Sequence, residues 1–228
     1  MIKRYLLGMF LIFLANLSIA QIRIGPIGGL NFNRQILKSN TYPFEGVFKS
    51  HIAFNAGIIA DYTLSKHFSF QPELIYTLRG GKYKLDRQNV AEEFNTSIGY
   101  ISMPLSLTAK LDLKSAYWIF GAGPYIEKLL HSQHTYYSNG LNIENGALRV
   151  GTDMLTDQIK PWAAGVKLKT GFELKKGMYF VAFYDFGTSD LNPQPTFMRT
   201  KTFGVQASFI FSTNEEDRYE RFEKFYEF

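Results

Sequence analysis

The sequence predicts an all-β chain folded as an eight-stranded antiparallel up-and-down transmembrane β-barrel. Three observations carry that expectation. Long segments alternate apolar and polar residues with period 2, the mark of strands whose two faces meet different surroundings. The connections between those segments alternate between long and short. Beyond residue 20 no apolar run is long enough for a membrane helix. The alternation is plainest over residues 68–84. There Phe68, Phe70, Pro72, Leu74, Tyr76 and Leu78 share one parity, and Ser69, Gln71, Glu73, Thr77 and Arg79 share the other, with Ile75 out of place.

Composition agrees. The chain has 228 residues, and its 21 Phe and 14 Tyr suit aromatic girdles at membrane interfaces. Cysteine is absent, which excludes disulfides, thiolate metal sites and cysteine nucleophiles. Residues 1–20 read as a signal peptide: Lys3 and Arg4 precede an apolar run, and Ser18-Ile19-Ala20 offers small residues for cleavage after Ala20. The formal charge of +5 falls to +3 once Lys3 and Arg4 are removed. It includes no basic block, so nucleic acid is not an expected partner.

The first strand, 22–34, sets Ile22, Ile24, Pro26, Leu30 and Phe32 against Arg23, Gly25, Gly29, Asn31 and Asn33. A polar loop over 35–50 follows. The second strand, 52–64, puts Ile52, Phe54, Ile58, Tyr62 and Leu64 outward and Asn55, Gly57, Asp61 and Thr63 inward. A tight turn at 65–67 leads into the third strand, and a charged loop is expected over 85–96. The fourth strand, 98–113, sets Ile101, Met103, Leu105, Leu107 and Leu111 against Tyr100, Ser102, Ser106, Thr108 and Lys110. The fifth, 116–130, turns Trp118, Phe120, Pro124 and Ile126 outward and Gly121, Gly123, Tyr125 and Glu127 inward. The longest loop is expected over 131–159, with Asn139-Gly140 and Asn145-Gly146 as turn signals. The sixth strand, 161–174, opposes Trp162, Val166, Leu168 and Phe172 to Gly165, Lys167, Lys169, Gly171 and Glu173. The seventh, 178–188, opposes Phe180, Ala182, Tyr184 and Phe186 to Phe183, Asp185 and Gly187. The eighth, 201–211, opposes Phe203, Val205, Phe209 and Phe211 to Thr202, Gly204, Gln206 and Ser208.

Short turns at one rim and long loops at the other are the layout of an outer-membrane barrel with periplasmic short turns. A soluble eight-stranded barrel of lipocalin type, with the apolar parity inside, is the alternative. It is disfavoured because bulky aromatics crowd the apolar parity and glycines the polar one, while so small a barrel has little room inside. The domain reading is therefore a signal peptide (1–20), an outer-membrane barrel (21–212) and a charged, aromatic periplasmic tail (213–228).

Several segments carry a family likeness. They are Gly28-Gly29-Leu30-Asn31-Phe32, the run from Phe68 to Tyr76, Tyr100-Ile101-Ser102-Met103-Pro104-Leu105, Gly121-Ala122-Gly123-Pro124-Tyr125 and Tyr184-Asp185-Phe186-Gly187. On these the chain resembles the PorT-like outer-membrane β-barrel proteins. The resemblance implies an eight-stranded barrel in the outer membrane of a Gram-negative bacterium. It implies little about activity, since one fold hosts many roles. The member that names the family serves a protein-secretion system, and no motif here extends that role to this chain.

The nearest thing to a site is a set of charges on the inward parity: Arg23, Asp61, Glu73, Arg79, Lys110, Glu127, Lys167, Lys169, Glu173 and Asp185. Charges in a narrow lumen must pair or be hydrated, so they read as a structural network that plugs the bore, with a selective ion path as the alternative. His131 and His134, with Ser132, raise a metal pair or a lipid hydrolase. The odd separation puts the two histidines on opposite faces of a strand, and no carboxylate stands at motif spacing. Gly80-Gly81-Lys82 lacks the Ser or Thr of a phosphate loop, since Tyr83 follows. In the tail, Tyr219, Phe222 and Tyr226 are spaced like one helical face, and either Phe209-Ile210-Phe211 or Tyr226-Glu227-Phe228 could end an insertion signal. The expectation is a non-enzymatic barrel without cofactor or metal, of structural or surface-interaction type. Its partners are outer-membrane lipid and proteins that meet the long loops or the tail. A lipid-modifying enzyme, a narrow channel and a secretion-system accessory are the alternatives.

Overall fold

The computed structural model describes residues 22–39, 49–87, 90–193 and 196–212. The expected signal peptide and the tail at 213–228 lie outside the described residues. The described chain folds into β1 (Ile22–Ser39), β2 (Lys49–Thr63), β3 (Phe68–Arg87), β4 (Val90–Asp112), β5 (Ala116–Ser138), β6 (Leu141–Gly146), β7 (Trp162–Leu174), β8 (Met178–Gly187), β9 (Thr196–Phe209) and β10 (Phe211–Ser212). Every ladder is antiparallel, and each stave pairs with the next along the chain except where β5 passes to β7. Pairing of β1 with β9, from Ile27 opposite Ser208 to Ser39 opposite Thr196, closes the ring. The two-residue β10 continues β9 past a break at Ile210 and pairs with Arg23 and Ile24. With β9 and β10 as one stave, and β6 pairing only with β5, the barrel has eight staves.

Closure satisfies the backbone groups that an open sheet would leave at two edges. It also fixes which parity faces in. Ile24, Leu30, Phe32, Phe54, Leu74, Leu107, Trp118, Phe172, Phe180 and Phe203 are exposed on the outside, while the polar parity is buried. Aromatic contacts gather at both ends of this apolar surface. Trp118 stacks on Phe172 and meets Phe120 at the short-turn end. Phe32 stacks on Phe203, and Tyr184 meets Phe186, toward the other. Eleven residues separate the outward-facing pair Trp118–Phe172 from Lys128–Trp162, counted inclusively. At ~3.3 Å per residue and a tilt of ~40°, that spans about 25 Å, the height of a bilayer's apolar core.

The turns at the near rim are short and locally built. Ser65 Oγ accepts from the amides of His67 and Phe68 at 3.4 and 3.2 Å. Asp112 Oδ1 accepts the amide of Lys114 at 2.9 Å, holding that residue at a positive φ of 70°. Gly177, at φ 89°, closes the third, where its amide bonds the Leu174 carbonyl.

The far rim departs from expectation. In the segment 85–96, expected as a loop, the described residues are strand: β3 and β4 stay in register up to Arg87 opposite Val90. Much of 131–159 is also strand. β5 runs to Ser138, turns at Asn139-Gly140 with both residues at positive φ, and returns as β6. The expected loop at 35–50 likewise gives up its ends to β1 and β2, and β9 begins at Thr196 rather than 201. Beyond the apolar belt both faces of a strand meet water, so nothing forces period-2 alternation there. The segments look like loops to any reading based on polarity.

The interior glycines make room for aromatic rings. An ideal Cβ on Gly204 would stand 2.5 Å from the Phe183 ring, its cross-strand neighbour, and one on Gly165 would stand 2.5 Å from the Tyr125 hydroxyl. Gly204→Val is expected to lower stability by about 1–3 kcal/mol, as overpacking does, in urea unfolding from lipid vesicles. Val205→Ala on the outer face should change it far less. The folded barrel should migrate differently before and after boiling on SDS gels; identical migration would refute the closed ring.

Candidate functional site

The interior holds two charge clusters. The one nearer the short turns joins four staves. Arg23 on β1 faces Asp61 directly across the ladder to β2 and donates to both Asp61 and Glu173. Lys110 on β4 reaches the same carboxylates, 2.8 Å from Asp61 Oδ2 and 2.9 Å from Glu173 Oε2. Gln71 extends this cluster upward. Its amide donates to Asp61 Oδ1 at 3.2 Å, and its carbonyl accepts from Thr108 and from the Tyr179 hydroxyl at 2.9 and 3.1 Å.

The second cluster lies above it. Glu73 accepts Lys169 Nζ at 2.6 Å and Lys167 Nζ at 3.2 Å on separate oxygens. Lys167 stands directly opposite Asp185 and lies 4.5 Å from the Phe183 ring centre. Arg79 donates to Glu127 at 2.5 Å, Asp185 at 3.2 Å and Thr200 Oγ1 at 3.1 Å. Its guanidinium also sits 5.9 and 5.7 Å from the ring centres of Tyr100 and Tyr125. Amide ladders fill the seam side. Asn33 bonds Asn31, Thr202 bonds Asn33, and Gln206 bonds Asn55 at 2.6, 2.8 and 2.8 Å.

The structure places all ten charges named from the sequence on the inner face, five cations and five carboxylates, so their formal charges cancel. What remains among Asn55, Thr77, Arg79, Lys167 and Asp185 is a void of about 10 Å³, no more than one water requires. Two apolar layers accompany the charges. Ile75, the residue that broke the alternation, packs inside with Ile27, Ile59, Ile119, Val181, Ile210 and Tyr179. Ile98, Tyr100, Leu129, Ile159, Ala163 and Leu191 form a second cluster at the far end, drawn together where the Lys160 amide bonds the Leu191 carbonyl. Tyr179 and Thr200 escaped the sequence reading of the site. Tyr179 shares the parity of Phe183 and Asp185 and was readable from it. Thr200 precedes the expected start of its strand.

The histidines part company. Ladder pairs Gly99–His131 and Tyr100–Leu129 leave Leu130 as the extra residue of a bulge, beyond which the inward parity of β5 switches. His131 faces out, with Nε2 2.7 Å from the Tyr76 hydroxyl. His134 faces in, stacked on Phe94 and 3.4 Å from Glu144 Oε1. The β6 hairpin thus supplies a carboxylate that motif spacing did not reveal. Ser132 donates to the Leu148 carbonyl at 3.4 Å. Nearby, Tyr136 donates to Glu92 at 3.0 Å, an acceptor that holds the phenol above its usual pKa. Gly80, Gly81 and Lys82 lie extended in the ladder opposite Ser97, Thr96 and Asn95. Among the described residues, no group of three or more His, Cys, Asp or Glu side chains is placed to hold a metal.

Removing one member of a buried ion cluster strands the others. Glu73→Met should therefore destabilise the barrel by about 3–5 kcal/mol in urea unfolding from vesicles, because Lys167 and Lys169 lose their shared carboxylate. The double variant with Lys169→Met, which restores the balance of interior charge and leaves Lys167 opposite Asp185, should recover most of that loss.

Residues 15–192 match the family described as the outer membrane protein beta-barrel domain. No curated protein matches. Similar solved structures include Ail, the attachment invasion locus protein of Yersinia pestis. It is 12% identical with a TM-score of 0.41, over 84% of this chain and 99% of that one. Outer membrane protein OprG from Pseudomonas aeruginosa is 10% identical with a TM-score of 0.45, over 84% and 96%. Neisserial surface protein A is 13% identical with a TM-score of 0.39, over 82% and 96%. The closed antiparallel ring, its outward apolar belt and the family match across most of the chain lead to one conclusion: this chain belongs to the outer membrane protein beta-barrel domain family and resides in the cell outer membrane.

Proposed function

We propose that this protein is a closed, non-enzymatic barrel that works through its long-strand rim, as a binding surface for another protein outside the cell. The observation that carries this reading is apolar surface where it has no folding role. Leu155 is 91% exposed, Leu141 69% and Met154 66%, all on segments beyond the membrane-facing belt. Scattered exposed apolar side chains are ordinary, but these and exposed Ile143 fall on consecutive segments of the chain, β6 and the connection that follows it, at one end of the barrel. Orientation follows from the usual layout, with short turns periplasmic and long hairpins outside. The balanced charges and the ~10 Å³ void among them favour a plug over a channel. The PorT-like resemblance belongs to this proposal as well, and a secretion-system partner is one form that the bound protein could take.

A lipid-modifying enzyme is the second reading, favoured by the His134–Glu144 contact at 3.4 Å. Against it, Ser132 spends its hydroxyl on a backbone carbonyl and His131 faces the opposite side.

Cross-linking on intact cells should capture a specific protein with the native chain and lose it with Met154→Asp/Leu155→Asp, while gel mobility of the barrel stays unchanged. Capture that is indifferent to these changes would refute the surface reading. Planar bilayers should show no single-channel steps, and lipid A mass spectra should be the same for native and His131→Ala/His134→Ala cells. Regular conductance steps would favour the channel, and a shifted spectrum the enzyme.

A further inference from the structure

On the outer face of the closing seam, Arg34 of β1 stands directly opposite Lys201 of β9. Like charges paired across a ladder repel, and repulsion strengthens where lipid lowers the local dielectric. Among the described residues neither forms an ion pair. Arg34 is exposed, and Lys201 lies 5.5 Å from the ring centre of Phe186, its cross-strand neighbour on β8.

The pair sits at a defined height. Outward residues of β1 run Ile24, Pro26, Gly28, Leu30, Phe32 and then Arg34. Those of the last stave run Phe211, Phe209, Ala207, Val205, Phe203 and then Lys201. Both series place the cation eleven residues from the ladder pair Ile24–Phe211 near the short-turn rim, counted inclusively, which is about 25 Å along the bilayer normal and thus at the headgroup level of the far leaflet. Directly beneath it, Phe32 and Phe203 are stacked at 6.5 Å, exposed to the acyl region. Two cations side by side over a flat apolar platform match one amphiphile: an acyl chain below and an anion above.

We propose that Arg34 and Lys201 bind the phosphate of an outer-leaflet glycolipid, whose acyl chain lies against Phe32 and Phe203. The phosphate removes the repulsion that the ladder builds in, and Arg34 provides planar donors that match phosphate oxygens. The assignment to the outer leaflet rests on the orientation given above, with the long-strand rim outside the cell.

The test uses the full mature chain in phosphatidylcholine nanodiscs doped with equal amounts of lipid A and its chemically dephosphorylated form, with bound lipid read by native mass spectrometry. The native chain should retain the phosphorylated form at least about tenfold over the other. Arg34→Gln/Lys201→Gln should erase that preference, and Arg34→Lys should keep most of it. Lys128→Gln, a change at the same height on the opposite wall, should leave it intact. Inorganic phosphate at millimolar concentration should not displace the lipid, since the acyl platform contributes to binding. Equal retention of the two lipids by the native chain, or a preference that survives the double change, would overturn the proposal, and displacement by free phosphate would replace it with a simple anion site. If the double variant fails to show folded gel mobility, Arg34→Gln and Lys201→Gln singly decide it on the same readout. Orientation is checked separately by protease cleavage at the 139–146 hairpin on intact cells, so an inverted barrel and a missing lipid site give different results.

Discussion

A hydrocarbon core offers a backbone amide no partner, so a sheet in it must close upon itself. The thirteen ladder pairs between β1 and β9, with β10 completing the stave, satisfy that demand here. Much else follows from closure. Once the ring is shut, parity decides which residues meet lipid. Strand count decides how much space is left inside, and the inward residues must fill that space with atoms that satisfy one another. The aromatic belt, the glycines beneath Phe183 and Tyr125 and the paired charges are three consequences of one geometric requirement.

The interior solves an electrostatic problem by balance. A single charge buried there would be prohibitive, and an excess of either sign would act over the whole bore because little water screens it. Five cations against five carboxylates, each carboxylate touching at least one cation, leave no net formal charge among them. Within the apolar layer around Ile75, Tyr179 joins the two clusters: its hydroxyl donates to Gln71, and Lys169 Nζ lies 5.9 Å from its ring centre. Such an interior resembles a folded protein core built from ions as well as methyl groups.

The belt was legible from the sequence because lipid imposes a strict rule on every second residue there. Phe68 to Arg79 reads correctly at each position, and even Ile75 has its place once the inner apolar layer is known. The ten interior charges could be assigned to the inner face by parity, but not to partners. Arg23 meets Glu173, 150 residues away, through a ring closure that no local pattern encodes. Outside the belt the rule lapses. The strand ends at 85–87 and 90–96 and the hairpin at 131–146 hid as polar loops, and the bulge at Leu130, which reverses parity within one strand, left no mark in residue types. Glu144 reached His134 only because a hairpin folded it there.

The closing seam has a further consequence, for the order of assembly. Neighbouring staves can zip as hairpins soon after they are made, since their contacts are close in sequence. Ser39 and Thr196 are not; their pairing closes a loop of more than one hundred and fifty residues, and contacts of such long range form slowly. Arg79 finds Asp185 and Thr200 across comparable stretches. Until the first and last staves meet, the sheet is an open ribbon with bare edges, and cross-barrel pairs such as Arg23–Glu173 are unmade, a form that bilayer interior would reject. Seam and long-range ion pairs therefore complete one another late, and a chain halted before that would be a substrate for chaperones or proteases rather than a partly working barrel.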